Sequence, residues 1–163
     1  MIRIGLLSDT HSYLHPRVLK FFENCDEIWH AGDIGNMSIA KELSELKPFK
    51  GVYGNIDGQD VRNVYPKNLR FMCEDVDVWI THIGGYPGKY NPEIKGEIIL
   101  NPPKLFICGH SHILKVMYDK KLNLLHINPG AAGKYGLHNI ITAVRFNIDG
   151  NNIRDLEVLE LER

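Results

Sequence analysis

The sequence has few cysteines and no pair of them at metal-binding spacing. Its 163 residues contain three cysteines, Cys25, Cys73 and Cys108, and no Cys-x-x-Cys motif. An odd number at wide spacing argues against a structural zinc knuckle. Each cysteine lies in or beside an apolar run, so we expect three small buried hydrophobic side chains in a reducing compartment.

Long apolar runs and an excess of positive charge are also missing. No stretch approaches the roughly 20 apolar residues of a membrane span. The apolar run at Met1–Leu7 is too short for a secretory signal, which needs about 7–15 apolar residues and a cleavage site. The 19 Lys and Arg against 20 Asp and Glu give a net charge of −1. This balance argues against a polybasic membrane anchor and against a nucleic-acid partner. Because neither a secretory signal nor a membrane span is found, we predict a cytoplasmic protein.

The overall composition is that of an ordinary globular protein. Apolar residues make up 44% and charged residues 24% of the sequence, which is enough apolar surface to offset chain entropy. We find no repeat, linker or charge block. Because domains usually have about 100–200 residues, we predict a single domain over residues 1–163. Histidine is the residue type that stands out in the composition, with eight residues.

Short apolar runs and helical patterns alternate in the first half of the chain. This order predicts a βαβαβ unit with a parallel sheet and right-handed crossovers. The predicted elements are a strand at Ile2–Leu7, a helix at Pro16–Glu23, a strand at Glu27–His30, a helix from Ser38 as cap to Leu46, and a strand at Lys50–Tyr53.

The second half of the chain is dominated by hairpin patterns. Three pairs of strand-like runs are each separated by short turn segments, at Glu74–Asp75, Asp119–Lys121 and Asp149–Asn151. A short helix is predicted at Pro92–Leu100 and a buried central strand at Leu105–Cys108. Early helices and late hairpins together predict an α/β (α+β) fold in which two sheets pack face to face and helices cover the outside.

Polar clusters follow five of the predicted strands, always just past the carboxyl end. In open α/β sheets this edge is where ligand sites are built, so we expect the clusters to converge on one patch. The clusters are Asp9-Thr10-His11, His30-Ala31-Gly32-Asp33, Gly54-Asn55, Thr81-His82 and Gly109-His110-Ser111-His112.

The side chains in these clusters are those of a metal site. Carboxylate, imidazole and amide donors without thiolate suit Mn²⁺, Fe²⁺, Ni²⁺ or Zn²⁺. Seven donors are too many for one tetrahedral ion but suffice for two ions if one carboxylate bridges them. A lone Asp-x-His or Gly-Asn is a weak signal, Gly-His-Ser-His alone is a moderate one, and a single His at a strand end is usually structural. The joint occurrence of the clusters in this order is specific. The candidate metal ligands are Asp9, His11, Asp33, Asn55, His82, His110 and His112.

These clusters resemble the five motifs of the calcineurin-like metallophosphoesterases. The chain length and compact spacing are similar to the small bacterial and archaeal YfcE-type phosphodiesterases, and the resemblance runs from about Ile2 to Phe146. It implies a four-layer αββα sandwich of two mixed β-sheets. It also implies that Asp9, His11, Asp33 and His112 hold a first metal, with Asp33 shared by a second. The second metal would be completed by Asn55, His82 and His110.

The resemblance implies a metal-dependent phosphoesterase with two divalent ions, of which Mn²⁺ is the first expectation. We expect a phosphodiesterase in which a metal-bridging hydroxide attacks a small-molecule or nucleotide-like ester. Two alternatives stay open: a phosphomonoesterase acting on a small metabolite, and a non-catalytic scaffold of the same fold, as in a retromer subunit. The sequence leaves open whether the chain forms a homo-oligomer.

The sequence departs from larger relatives of this family at one informative position. Where many of them place a proton-donating His after the Asn of the third motif, this chain has Ile56, followed by Asp57. No catalytic side chain is therefore assigned beyond the metal-bound water, and His138 is the one candidate for a substitute acid. His30 and Asp57 are candidates for orienting the ligands, although a simple structural role at the end of a strand is the favoured interpretation for His30. The glycine-rich segment at 130–138, with Lys134, is a candidate phosphate contact, although a simple turn before the strand at Ile140 is the favoured interpretation. The segment at 86–90 is either a substrate contact or a plain surface loop.

Overall fold

The computed structural model describes residues 1–163, and its first half alternates strands with helices as predicted. None of its helices is long and apolar enough to span a membrane. The elements are β1 (Ile2–Leu7), α1 (Pro16–Phe21), β2 (Glu27–His30), α2 (Met37–Leu46), β3 (Phe49–Gly51) and α3 (Gln59–Val64).

The second half contains the three predicted hairpins and one hairpin that the sequence did not reveal. The elements are β4 (Asn68–Cys73), β5 (Val76–Thr81), β6 (Gly85–Tyr86), β7 (Lys89–Tyr90), α4 (Pro92–Leu100), β8 (Leu105–Ile107), β9 (Leu114–Asp119), β10 (Leu124–Pro129), β11 (Ile140–Asp149) and β12 (Asn152–Glu162).

The strands form two five-stranded mixed sheets. The first has the order β12-β11-β1-β2-β3, in which β1, β2 and β3 are parallel and the β11–β12 hairpin adds antiparallel strands to one edge. The second has the order β4-β5-β8-β10-β9, with β5, β8 and β10 parallel and antiparallel strands at both edges. The predicted βαβαβ unit and the two mixed sheets are confirmed.

Three apolar clusters separate four layers. The largest fills the space between the sheets, where Trp29 and Phe146 of the first sheet meet Ile80, Leu105 and Ile127 of the second. A second cluster packs the helices of the first half on the outer face of the first sheet. A third packs α4 on the outer face of the second sheet. The αββα sandwich is therefore confirmed, and all three cysteines are free and buried in it.

Several boundaries differ from the predictions for local reasons. The helix α2 starts at Met37 because Asn36, not Ser38, caps it; the Asn36 side chain accepts from the Ser38 N–H at 3.0 Å. The third strand is Phe49–Gly51 rather than Lys50–Tyr53. The helix α3 was missed because it has six mostly polar residues and buries only Val61.

Candidate metal centre

The loops after β1, β2, β3, β5 and β8 bring all seven predicted side chains to one edge of the sandwich. The carboxyl ends of the parallel strands of both sheets meet at this edge. Two groups form there, and the donor atoms within each group lie within 4.8 Å of one another. The first group is Asp9, His11 and His112; the second is Asp33, His82 and His110. Asn55 adjoins the second group, since its Oδ1 lies 3.0 Å from Nδ1 of His110.

Asp33 lies at the junction of the two groups. Its Oδ2 is 3.3 Å from Nε2 of His11 and 3.2 Å from Nε2 of His82. Asp9 Oδ1 is 3.2 Å from Nε2 of His112, and 3.7 and 3.8 Å from the same two nitrogens of His11 and His82. One oxygen of Asp33 therefore faces a histidine from each group.

Three buried donor atoms in this centre have no hydrogen-bond partner. They are Oδ1 of Asp9, Nε2 of His11 and Nε2 of His82. Buried polar atoms are nearly always paired, since leaving one unpaired costs about 1–3 kcal/mol. All three atoms point into the same small volume, and carboxylate oxygen and imidazole nitrogen both ligate first-row divalent metals. The residues therefore fit a divalent cation.

The carboxylates of the centre stay ionised although they are buried. Burial alone would raise the pKa of Asp9, but His11 and His112 beside it hold that pKa well below its usual range. Burial also opposes ionisation of Asp33, whose pKa is likewise held low by His11 and His82. In return, Asp33 and then Asp9 raise the pKa of His11 to about 9. Protons and a metal cation would thus compete for the same imidazole nitrogens.

The backbone is in an uncommon conformation at five of the seven residues. Asp9, His11, Asp33, His110 and His112 all have positive φ, between 43° and 70°. A non-glycine residue rarely adopts this left-handed region, and such strain concentrates at functional sites. The turns that follow the strands are therefore held in place to aim these side chains.

Hydrogen bonds from one hydroxyl and two backbone N–H groups fix the orientation of the carboxylates. The other oxygen of Asp9, Oδ2, accepts from Ser8 Oγ at 2.6 Å and from the His110 N–H at 3.1 Å. Oδ1 of Asp33 accepts from the Ile56 N–H at 3.1 Å. Each aspartate is thus anchored through one oxygen and presents the other to the centre.

Asp57 and His30 tie neighbouring loops together. The Asp57 carboxylate accepts from the N–H groups of Ile34, Gly35 and Gly54 at 3.1, 2.8 and 2.8 Å, which joins the loops that carry Asp33 and Asn55. The buried ring of His30 accepts from the Gly32 N–H at 3.0 Å and pairs with Thr10 Oγ1 at 2.9 Å. Burial lowers the pKa of His30 to about 3, so it is neutral.

The glycine-rich segment after β10 packs directly against the centre. The ring of His138 pairs through Nδ1 with Nδ1 of His112 at 3.2 Å and through Nε2 with the Gly133 carbonyl at 2.8 Å. The Tyr135 ring stacks on His11, with centroids 5.1 Å apart and an interplanar angle of 13°. Lys134 instead places its Nζ 4.3 Å from the Tyr13 ring.

The contact of Tyr135 was not predicted from the sequence. The segment is held from the other end of the chain, because Nη1 of Arg163 donates to the carbonyls of Gly136 and His138 at 2.6 and 2.8 Å. Nothing in the local sequence signals this arrangement, because Arg163 lies 27 positions from Gly136 and 25 positions from His138.

A profile of the calcineurin-like phosphoesterase superfamily domain matches residues 2–151, which is most of the chain. The chain belongs to this superfamily. The expected family resemblance is therefore confirmed. Members of the family use divalent metal ions, and the two side-chain groups at the sheet edge are the candidate positions for them in this chain.

Relatives in sequence and in structure agree with this membership. A probable metallophosphoesterase of Methanothermobacter thermautotrophicus is 29% identical over 135 residues, which cover 78% of this chain and 76% of the relative. The structure of an archaeal phosphodiesterase is 24% identical, with a TM-score of 0.76 over 97% of this chain and all of that one. Wild-type Vps29 of Entamoeba histolytica, solved with Zn²⁺, is 12% identical, with a TM-score of 0.76 over 99% of both chains. At these identities the two structures show a shared fold.

Proposed function

We propose that the chain is a metal-dependent phosphodiesterase that hydrolyses small or nucleotide-like phosphate esters at a dinuclear centre. The position of Asp33 between the two donor groups carries this proposal, because one oxygen of Asp33 faces His11 and His82 at nearly equal distances. A carboxylate in this position can bridge two cations. A diester substrate also agrees with the fold likeness to an archaeal phosphodiesterase.

We assign the ligands by group. Asp9, His11, Asp33 and His112 would hold one ion; Asp33, Asn55, His82 and His110 would hold the other. Mn²⁺ is the ion we expect, and Ni²⁺, Fe²⁺ or Zn²⁺ suit the same donors. When bound, two such ions supply Lewis acidity toward a phosphoryl oxygen and toward the attacking water.

Hydrogen bonds to the histidines set which nitrogen is free for a metal. A carbonyl only accepts, so His82 donates from Nδ1 to the Ala31 carbonyl at 2.8 Å, and the neutral ring then directs the lone pair of Nε2 toward Asp33. His112 is oriented in the same way by a second histidine. His138 donates from Nε2 to the Gly133 carbonyl, and its Nδ1 then accepts from Nδ1 of His112.

His138 is therefore proposed as a positioning residue rather than a proton donor. Both of its ring nitrogens are engaged within the protein, one by Gly133 and one by His112. Neither is free to protonate a departing alkoxide in this arrangement. With Ile56 at the position of the donor in larger relatives, the site favours esters whose leaving group needs no proton.

Measured turnover of phosphate esters, and not metal binding, distinguishes a phosphodiesterase from a phosphomonoesterase and from a non-catalytic scaffold. Vps29, which shares this fold, has been solved with Zn²⁺, and a bound metal does not by itself distinguish an enzyme from a non-catalytic scaffold of the same fold. We expect chelated protein to regain hydrolysis of bis(p-nitrophenyl) phosphate when Mn²⁺ is restored, with kcat/KM well above that for p-nitrophenyl phosphate. Two bound ions without turnover would favour the scaffold, and a higher rate on the monoester would favour a phosphomonoesterase.

Asn55→Ala tests the second metal position separately. The neutral amide oxygen of Asn55 lies 3.0 Å from Nδ1 of His110 in the second group, so its removal should lower occupancy of that position and leave the first filled. Loss of a residue that only supports a metal ligand typically costs roughly 10–100-fold in activity. Because Asn55 is a proposed ligand itself, we expect kcat to fall by at least that much. Elemental analysis and steady-state assays measure the two effects.

The matched control for this variant is Asn151→Ala, in the exposed turn between β11 and β12. It should keep both metals and full activity. An unchanged turnover number in Asn55→Ala would mean that the second position takes no part in the reaction.

A further inference from the structure

A cavity of about 350 Å³ opens beside the metal centre. Gly109 and His110 form the part of its wall that adjoins the centre, and the β6–β7 hairpin covers it. The volume falls within the usual range of small-ligand pockets, about 300–1,000 Å³. A phosphate ester bound at the centre could therefore extend its organic part into this space.

The cavity exists because the outer face of the second sheet is only partly covered by a helix. Ile94 and Ile98 of α4 pack on Trp79 and Phe106, which fills one part of this face. Beyond them the cover is a hairpin whose strands have two residues each. Side chains from β9 and β10 line the remaining space: Lys115, His126 and Asn128.

The charge lining the cavity is entirely positive. Two lysines, Lys89 and Lys115, contribute to the wall, and no Asp or Glu does. The lysines that form ion pairs in this structure are three others, Lys41, Lys50 and Lys67. Lys115 instead lies against an aromatic ring, with Nζ 3.9 Å from the centre of the Tyr86 ring. The acidic Asp119 lies behind Tyr90, which donates its hydroxyl to that carboxylate at 2.6 Å.

The cavity wall also contains a polar group that the protein leaves unsatisfied. His126 is buried, with 1% of its surface exposed, and its Nδ1 has no hydrogen-bond partner. Its Nε2 lies 4.0 Å from Cys108 Sγ.

We propose that this cavity holds the organic part of the phosphate ester, and that this part carries a second anionic group bound by Lys115 and Lys89. The inference rests on the proposed function and adds the substrate class: phosphodiesters with a further phosphate or carboxylate on the organic arm. The scissile phosphate lies at the metal centre and the second anion meets the two unpaired lysines. Binding energy gained away from the reacting bond can then be used to orient it.

A matched pair of nucleotide esters tests this inference. Thymidine 5′-(p-nitrophenyl phosphate) and its 3′-phosphorylated form release the same p-nitrophenol and differ by one anionic group. We expect the 3′-phosphate to raise kcat/KM about tenfold in the Mn²⁺-loaded protein, as charge-assisted hydrogen bonds from lysine would do. The ratio of the two kcat/KM values should fall toward 1 in Lys115→Met and return to about ten in Lys115→Arg. It should persist in Lys120→Met, an exposed lysine that does not line the cavity.

A binding measurement separates this inference from the proposed function. Calorimetry on the metal-free protein should show tighter binding of thymidine 3′,5′-bisphosphate than of the 5′-monophosphate, and Lys115→Met should remove the difference. Hydrolysis of bis(p-nitrophenyl) phosphate without any preference for the 3′-phosphate would overturn the inference and leave the proposed function standing. If no ester is hydrolysed, the proposed function fails, and the binding difference alone decides whether the cavity is an anion site.

Discussion

Asp33→Asn is expected to reduce phosphodiester hydrolysis to near background and to cost the protein at least one metal ion per chain. The substitution keeps the shape of the side chain and the oxygen that accepts from the Ile56 N–H. It removes the negative charge at the oxygen that faces both His11 and His82. A neutral amide cannot offset the repulsion between two divalent cations, so the dinuclear arrangement should be lost. Elemental analysis and steady-state assays with bis(p-nitrophenyl) phosphate measure both losses.

The control for this substitution is Asp75→Asn, which makes the same change in the exposed turn between β4 and β5. That variant should keep two metals and full activity. Thermal unfolding of both variants in the metal-free state separates loss of metal from loss of fold. Two metals retained in Asp33→Asn would reject the bridging role of Asp33, whatever its activity.

The candidate site could be predicted from sequence because its signals are local. Each candidate ligand lies within a few residues of the end of a buried strand, and parallel strands align those ends at one edge. Strand ends are recognisable where an apolar run stops at Asp9 or at His110. The carboxylate, imidazole and amide side chains then indicate the chemistry without any knowledge of the packing.

The features that were not predicted depend on contacts between distant parts of the chain. Tyr135 stacks on His11 from the glycine-rich segment, and the Arg163 side chain holds that segment by donating to two of the segment's backbone carbonyls. The cavity beside the centre requires α4 to stop short of the end of the second sheet, and Lys115 enters its wall only through the register that pairs it with Asn128. Hydrophobic periodicity indicates which face of a strand is buried, but it does not show which part of a sheet a helix leaves uncovered.

Rates of hydrolysis are expected to depend steeply on the acidity of the leaving group. Ile56 is 46% exposed and contributes its backbone N–H to Asp33, while its side chain cannot transfer a proton. General acid catalysis contributes typically about 10²–10⁴-fold, and its loss should matter most for poor leaving groups. We therefore expect aryl phosphodiesters to react far faster than alkyl phosphomonoesters. A plot of log kcat/KM against leaving-group pKa for a series of methyl aryl phosphates measures the dependence.

Ile56→His should flatten that plot by assisting the poor leaving groups. An imidazole at this position would lie beside the proposed ligand Asn55, and we expect alkyl esters to gain up to about 10²-fold while aryl esters change little. The matched control is Ile99→His, at an exposed position of α4, which should leave the slope unchanged. A flat plot for the unmodified protein would show that a proton donor is already present. The same series on His138→Ala would then test that residue: restoration of a steep slope would identify His138 as the donor, whereas a uniform loss across all esters together with weaker metal binding is the result expected from its contact with His112.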